Sequence, residues 1–272
     1  MSSRIVVINP NSTAAVTTAI DRALEPLRMA GGPAIECLTL PEGPPGIETQ
    51  ADVEQVVRPL CRLVRARADA SAFVIACFSD PGLHLCREES TRPVLGIAEC
   101  GLLTALTRGE RFGILAILRT SLPRHFRYVR QLGLTERFAG DLPLGLGVVE
   151  LSDTDRTFAR MQEVGARLRD QHGADILVLG CAGMAQYRAP LEQSLGLPVV
   201  DPTQAAVSMA IGRVCLAESA PSRRRGQPQS DHVEGSPVDR ADQDNRVGDV
   251  ALQRQLEPGE RPLEGVRPQG RR

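Results

Sequence analysis

The chain has 272 residues, 42% of them hydrophobic and 24% charged, with a net charge of -1, so one large or two small globular domains are expected and the basic excess of a nucleic-acid binder is absent. All 32 positions counted as Lys plus Arg are Arg. Without lysine there is no Schiff base, no pyridoxal phosphate anchor and no Walker-type phosphate loop.

In chain order, short β-branched runs alternate with longer amphipathic ones. Strands are expected at 4–9, 34–40, 72–77 and 93–98, and again at 111–118, 145–151, 175–180 and 198–201. Helical spacing fills the gaps. After an N-cap at Ser12, one face carries Val16, Ile20, Ala23, Leu24 and Leu27, and a second helix carries Val53, Val56, Val57, Leu60 and Val64. Apolar strands each followed by a helix indicate parallel sheets covered on both faces. A final helix at 203–217 places Val207, Ala210, Ile211 and Val214 on one stripe. Beyond it, Pro, Gly and mixed charges without an aromatic residue indicate a disordered tail at 218–272.

The strand and helix order occurs twice, and the chain matches itself. Residues 71–77 (SAFVIAC) lie over 175–181 (DILVLGC) at an offset of 104, Val94 over Val199 at 105 and Arg4 over Arg111 at 107. A nearly constant offset across three strands indicates two similar α/β lobes, each a four-stranded parallel sheet flanked by helices, related by a pseudo-twofold. The limits expected are 1–98 for the first lobe, joined by the 203–217 helix, and 99–202 for the second.

The cysteines number seven, with no CxxC pair or Cys/His cluster, so neither a disulfide framework nor a metal site is expected. Free thiols indicate a reducing compartment. With no signal-peptide core and no run of about 18 apolar residues, a cytoplasmic protein without membrane or nucleic-acid partners is expected. Its partners are expected to be a small-molecule substrate and further copies of itself.

Cys77 and Cys181 each close the third strand of a lobe, at the edge where open α/β sheets bind ligands. Each precedes a turn and a helix, whose N–H groups are expected to lower the thiol pKa. Two thiols flanking one cleft can remove a proton from one face of a carbon and return one to the other, which is racemisation. A cysteine at a strand end is more often a small core residue, and Cys37, Cys61, Cys86, Cys100 and Cys215 are assigned to that class. Asp80 reads as a helix cap or a modulator of the Cys77 thiol, capping being favoured. Thr120 and Ser121 read equally as ligand contacts or a helix start, Glu99 reads as a helix-start carboxylate, and His125 as a surface residue.

Five motifs in order then carry a resemblance. They are Ile8-Asn-Pro-Asn-Ser12, Ala76-Cys-Phe-Ser-Asp-Pro-Gly82, Gly96-Ile-Ala-Glu99, Leu179-Gly-Cys-Ala-Gly-Met184 and Val199-Val-Asp-Pro-Thr203. Residues 4–216 resemble the Asp/Glu/hydantoin racemase superfamily, in its hydantoin and allantoin racemase branch. The resemblance implies a cofactor-independent mechanism with Cys77 and Cys181 as the two bases. It also implies a pocket using Asn9, Asn11 and the segments after each cysteine, namely Phe78 and Ser79, then Ala182 and Gly183; Thr120 joins the expected contacts by its position after the second lobe's first strand, where Asn9 and Asn11 sit in the first. Amino-acid racemases of the superfamily carry Cys-Asn-Thr and Cys-Thr-His, where this chain reads Cys77-Phe-Ser and Cys181-Ala-Gly. Phe78 and Ala182 offer a zwitterion no polar partner, so a less charged ring such as a 5-substituted hydantoin is expected. An aspartate or glutamate racemase, a maleate isomerase, an arylmalonate-type decarboxylase and a non-catalytic small-molecule binder are the alternatives.

Overall fold

The computed structural model describes residues 3–218, and the expected tail lies outside these residues from 219 onward. Two four-stranded sheets are formed. The first contains β1 (Arg4–Asn9), β2 (Ala34–Thr39), β3 (Ala72–Ile75) and β4 (Val94–Gly96). The second contains β5 (Phe112–Ala116), β6 (Phe138–Pro143), β7 (Ile176–Leu179) and β8 (Val199–Val200). The strand order is β2-β1-β3-β4 in one and β6-β5-β7-β8 in the other, and every pairing is parallel. The internal repeat is therefore a repeat of topology.

The period-2 geometry of a strand sends alternate side chains to opposite faces, and both faces are apolar here. From β1, Ile5 and Val7 enter a cluster with Phe112, Ile114, Ile176 and Val178 of the second sheet, so the two sheets share one core. Val6 and Ile8 enter a separate cluster on the other face. The outer face of the second sheet has its own cluster around Leu177 and Leu179. Two helices lie between the sheets, α5 (Ile97–Ala105) and α9 (Pro202–Glu218). They approach closely because Gly101 has no Cβ, which would sit 2.8 Å from the Cβ of Pro202. Among the described residues no helix is long and apolar enough to cross a membrane.

Several expected elements differ. The sixth strand forms at Phe138–Pro143, and the expected 145–151 run instead turns at Gly145 and ends in a 3-10 helix over Val149–Ser152. Leu144, Leu146 and Val148 are buried as a strand's residues would be, but Gly145 is at φ 75°, which breaks the extended run. The real strand carries Gly140, Asp141 and Pro143, poor strand formers that an edge position tolerates. Helix α1 (Ala14–Ala23) starts after Thr13, one residue later than expected from Ser12, and the Thr13 N–H donates to Asn11 Oδ1. The valine-rich helix is two, α2 (Gln50–Gln55) and α3 (Val57–Ala66). Pro59 has no N–H to offer Gln55, and its ring crowds that carbonyl. Three of the five cysteines assigned to the core are buried, whereas Cys37 is half-buried and Cys215 is exposed, on the outer side of α9.

Candidate functional site

The segments leaving β1, β3, β5 and β7 converge on one narrow cleft. Asn11 comes from the first of these segments, Cys77, Phe78 and Ser79 from the second, Ile117 from the third, and Cys181 with Ala182 from the fourth. Both cysteines thus line the same space, each supplied by a different sheet. Two apolar side chains from loops also line it, Ile47 after β2 and Val148 after β6. The loops are fastened where the Val148 N–H donates to Glu48 Oε1 at 2.8 Å.

Each thiol is held by the backbone N–H two residues further on. The Gly183 N–H donates to Cys181 Sγ at 3.4 Å, and the Ser79 N–H acts likewise on Cys77. These bonds favour thiolate, as expected, but they do not prevail. Burial pushes Cys77 up to about 12 and Cys181 up to about 11, so the expectation of depressed thiol pKa values is corrected: desolvation outweighs the loop N–H groups. Arg124 lies close enough to Cys77 to pull it back down, while a charge on Cys181 pushes it higher. Charging one thiol therefore opposes charging the other.

Asp80 sits behind Cys77, buried, at φ 41°. The helix directly after it, α4 (Leu83–Glu89), is instead preceded by Gly82. Asp80 caps α5 across the chain, accepting from Ala98 N and Glu99 N at 2.9 Å each and from Tyr128 Oη at 2.8 Å. Burial raises its carboxyl to about 6. Glu99, in the first turn of α5, is paired with Arg87.

Of the other expected contacts, Asn9 is buried behind the cleft, its Nδ2 donating to Asn11 Oδ1 at 2.9 Å and Thr17 Oγ1 at 3.0 Å. Thr120 is exposed, and its hydroxyl donates to the Glu48 carbonyl, while its neighbour Ser121 lines the cleft. Gly183 acts through its bond to Cys181.

His125 is the largest departure. Expected at the surface, it is 5% exposed and lines the cleft. It lies on α6 (Leu122–Gln131) with its Nδ1 2.8 Å from Asp141 Oδ2 of β6. Its ring meets Phe78 edge-on at 5.1 Å. Its i,i+4 spacing to the fully buried Val129 was the available signal. Arg124 beside it also lines the cleft, and burial lowers its pKa. For Ile47 and Val148 no local pattern marks a cleft residue, since each is placed by a long-range loop contact.

Comparison with known proteins follows the same outline. The family model described as Asp/Glu/Hydantoin racemase matches residues 5–210. A hydantoin racemase of Paenarthrobacter aurescens is 35% identical over 217 residues, 78% of this chain and 92% of that protein. The structure of an allantoin racemase from Klebsiella pneumoniae superposes with a TM-score of 0.76 at 33% identity, covering 79% of this chain and 89% of the other. A glutamate racemase from Francisella tularensis shares the fold, with a TM-score of 0.61 at 14% identity, over 80% of this chain and 82% of its own.

Proposed function

The chain belongs to the Asp/Glu/hydantoin racemase family, and from that premise we propose that it inverts the carbon alpha to a carbonyl in a 5-substituted hydantoin, by proton transfer between Cys77 and Cys181. It is an isomerase, a racemase of the hydantoin and allantoin type. The observation that carries the two-cysteine reading is the convergence of both thiols, from separate sheets, on one cleft. In each direction the thiolate takes the alpha proton, the electron pair moves onto the carbonyl oxygen, and the opposite thiol protonates the carbon. The repulsion between the two charges disfavours two thiolates at once, so when one thiol ionises it faces a protonated partner, which is the state the reaction needs.

The lining supports a ring of low charge. Val16, Ile47, Phe78, Ile117 and Val148 are apolar, and Asn11, Ser79, Ser121, Arg124 and His125 supply polar contacts. We place the lobe limits at 98/99, with α9 completing the first lobe, because α9 packs on β1, β3 and β4.

Resolved 5-substituted hydantoins, allantoin, aspartate and glutamate, each followed by chiral chromatography, test the reading. Loss of enantiomeric excess is expected for a hydantoin or allantoin. Racemisation of aspartate or glutamate alone would overturn the ring assignment.

A further inference from the structure

The cleft holds one ionisable pair that the two-cysteine scheme leaves unused. His125 and Asp141 have side chains 4% and 5% exposed, 2.8 Å apart. The corresponding elements of the first lobe, α1 and β2, are bridged by a neutral pair, Thr17 and Thr39, their hydroxyls 2.6 Å apart. Burying an ionisable pair costs more desolvation than burying two hydroxyls, so its presence here calls for a task.

With Nδ1 bound to Asp141, Nε2 is the imidazole nitrogen left for a ligand. Its polarity follows from charge. Among the described residues Asp141 Oδ1 is buried without a hydrogen-bond partner, and His125 is the group that favours its charged form, so a net negative pair there is poorly stabilised. A net-neutral pair is the cheaper one to bury. Both neutral arrangements, imidazolium with carboxylate and Nε2–H imidazole with carboxylic acid, leave a proton on Nε2. The ring meets Phe78, the chain neighbour of Cys77, edge-on, and His125 lines the same cleft as Cys77 and Cys181.

We propose that His125, oriented by Asp141, donates a hydrogen bond from Nε2 to the substrate carbonyl oxygen adjoining the stereocentre and stabilises the enolate formed between the two thiols. This rests on the hydantoin reading above. The α C–H bond breaks as the thiolate S–H forms, and the electron pair resides on the oxygen facing His125 until the opposite thiol protonates carbon. His125 transfers no proton, so the balance of the reaction is unchanged.

Removing one preorganised donor to a developing oxyanion typically lowers turnover about 10²- to 10³-fold. His125→Ala should lower kcat by about 10² with a smaller change in KM. Asp141→Asn should also lower kcat while the fold persists, because an amide oxygen accepting from Nδ1–H leaves a lone pair on Nε2, the wrong polarity for an enolate. The chain has 4 His in all, so ¹⁵N spectra of imidazole-labelled wild-type protein resolve Nε2 of His125 directly. Adding unsubstituted hydantoin should move that signal in the wild type. A folded His125→Ala variant retaining more than about a third of wild-type kcat, well short of the loss expected for such a donor, would overturn the proposal. So would an Nε2 signal unmoved at saturating hydantoin. An Nε2 shift in a wild type that racemises no hydantoin would keep the His125 contact and overturn the racemase reading instead.

Discussion

The two lobes place a buried carboxylate at the same spot by different means. At an offset of 105, Gly96 of the first lobe corresponds to Asp201 of the second, each just before the helix that follows a fourth strand. Asp201 caps its own helix, its Oδ1 accepting from Gln204 N at 2.7 Å. At Gly96 the space is already filled, since a Cβ there would lie 2.2 Å from Asp80 Cγ. Asp80 reaches in and accepts from Ala98 and Glu99, two and three residues after Gly96, as Thr203 and Gln204 are after Asp201. Burial raises both carboxyls to about 6, and each raises the pKa of its own lobe's cysteine. The function held in common is the cap, and the residue supplying it is free to change.

The largest expected effect concerns what the lobes share. Cys77→Ala and Cys181→Ala should each lower racemisation by about 10² to 10⁴ without changing the melting temperature appreciably. Unequal losses in the two directions of reaction would show how far the two sites have diverged.

The source of the cap comes next. Asp80→Gly should destabilise the fold by about 2 kcal/mol, because three donors lose a buried acceptor. Glycine accepts the positive φ at position 80. Adding Gly96→Asp rebuilds the second lobe's local arrangement in the first, and the double variant should regain most of the lost melting temperature. No recovery would show that the two carboxylates are not equivalent.

Asp201 also has a pH signature. Its carboxyl rises from 3.8 to about 6 on folding, so between those values the folded protein holds a proton that the unfolded chain releases. Its contribution to stability is full below about pH 4 and is lost as pH rises through 6. Asp201→Asn keeps an acceptor for the Gln204 N–H and removes that titration. Its melting temperature relative to wild type should therefore climb between pH 4 and pH 7, and a constant difference would contradict the raised carboxyl. The smallest effect is expected at the strap between lobes. Glu48→Ala removes the acceptor of the Val148 N–H and should raise KM a few-fold, with about 1 kcal/mol or less of stability lost. An unchanged KM would show that the strap has no part in closing the cleft.

Much of this was legible in the sequence, for identifiable reasons. Strands buried on both faces, such as β1 and β7, read as continuous apolar runs, and the repeat around Cys77 and Cys181 marked one position in both lobes. β6 was misread because an edge strand needs few β-formers, while the loop beyond it carries the buried Leu144, Leu146 and Val148. The thiol pKa direction was missed because helix starts and turns are local features, whereas desolvation depends on the whole cleft. His125 was missed for a similar reason. Its arginine-rich neighbours suggest a surface, and only tertiary packing brings Asp141 and Phe78 against it.

Opposed proton transfer by two bases is the central claim, and isotope position at early conversion tests it directly. One enantiomer of a racemised hydantoin is incubated with the protein in D₂O and stopped within about the first tenth of the reaction, before the products return through the cleft. Because both thiols exchange with solvent, the thiol opposite the base delivers deuterium. The inverted product should carry deuterium at the alpha carbon, and the remaining substrate should still carry its proton. Product that keeps the original proton, or substrate that gains deuterium as fast as product forms, would show a single base acting on both faces and would contradict the assignment of Cys77 and Cys181.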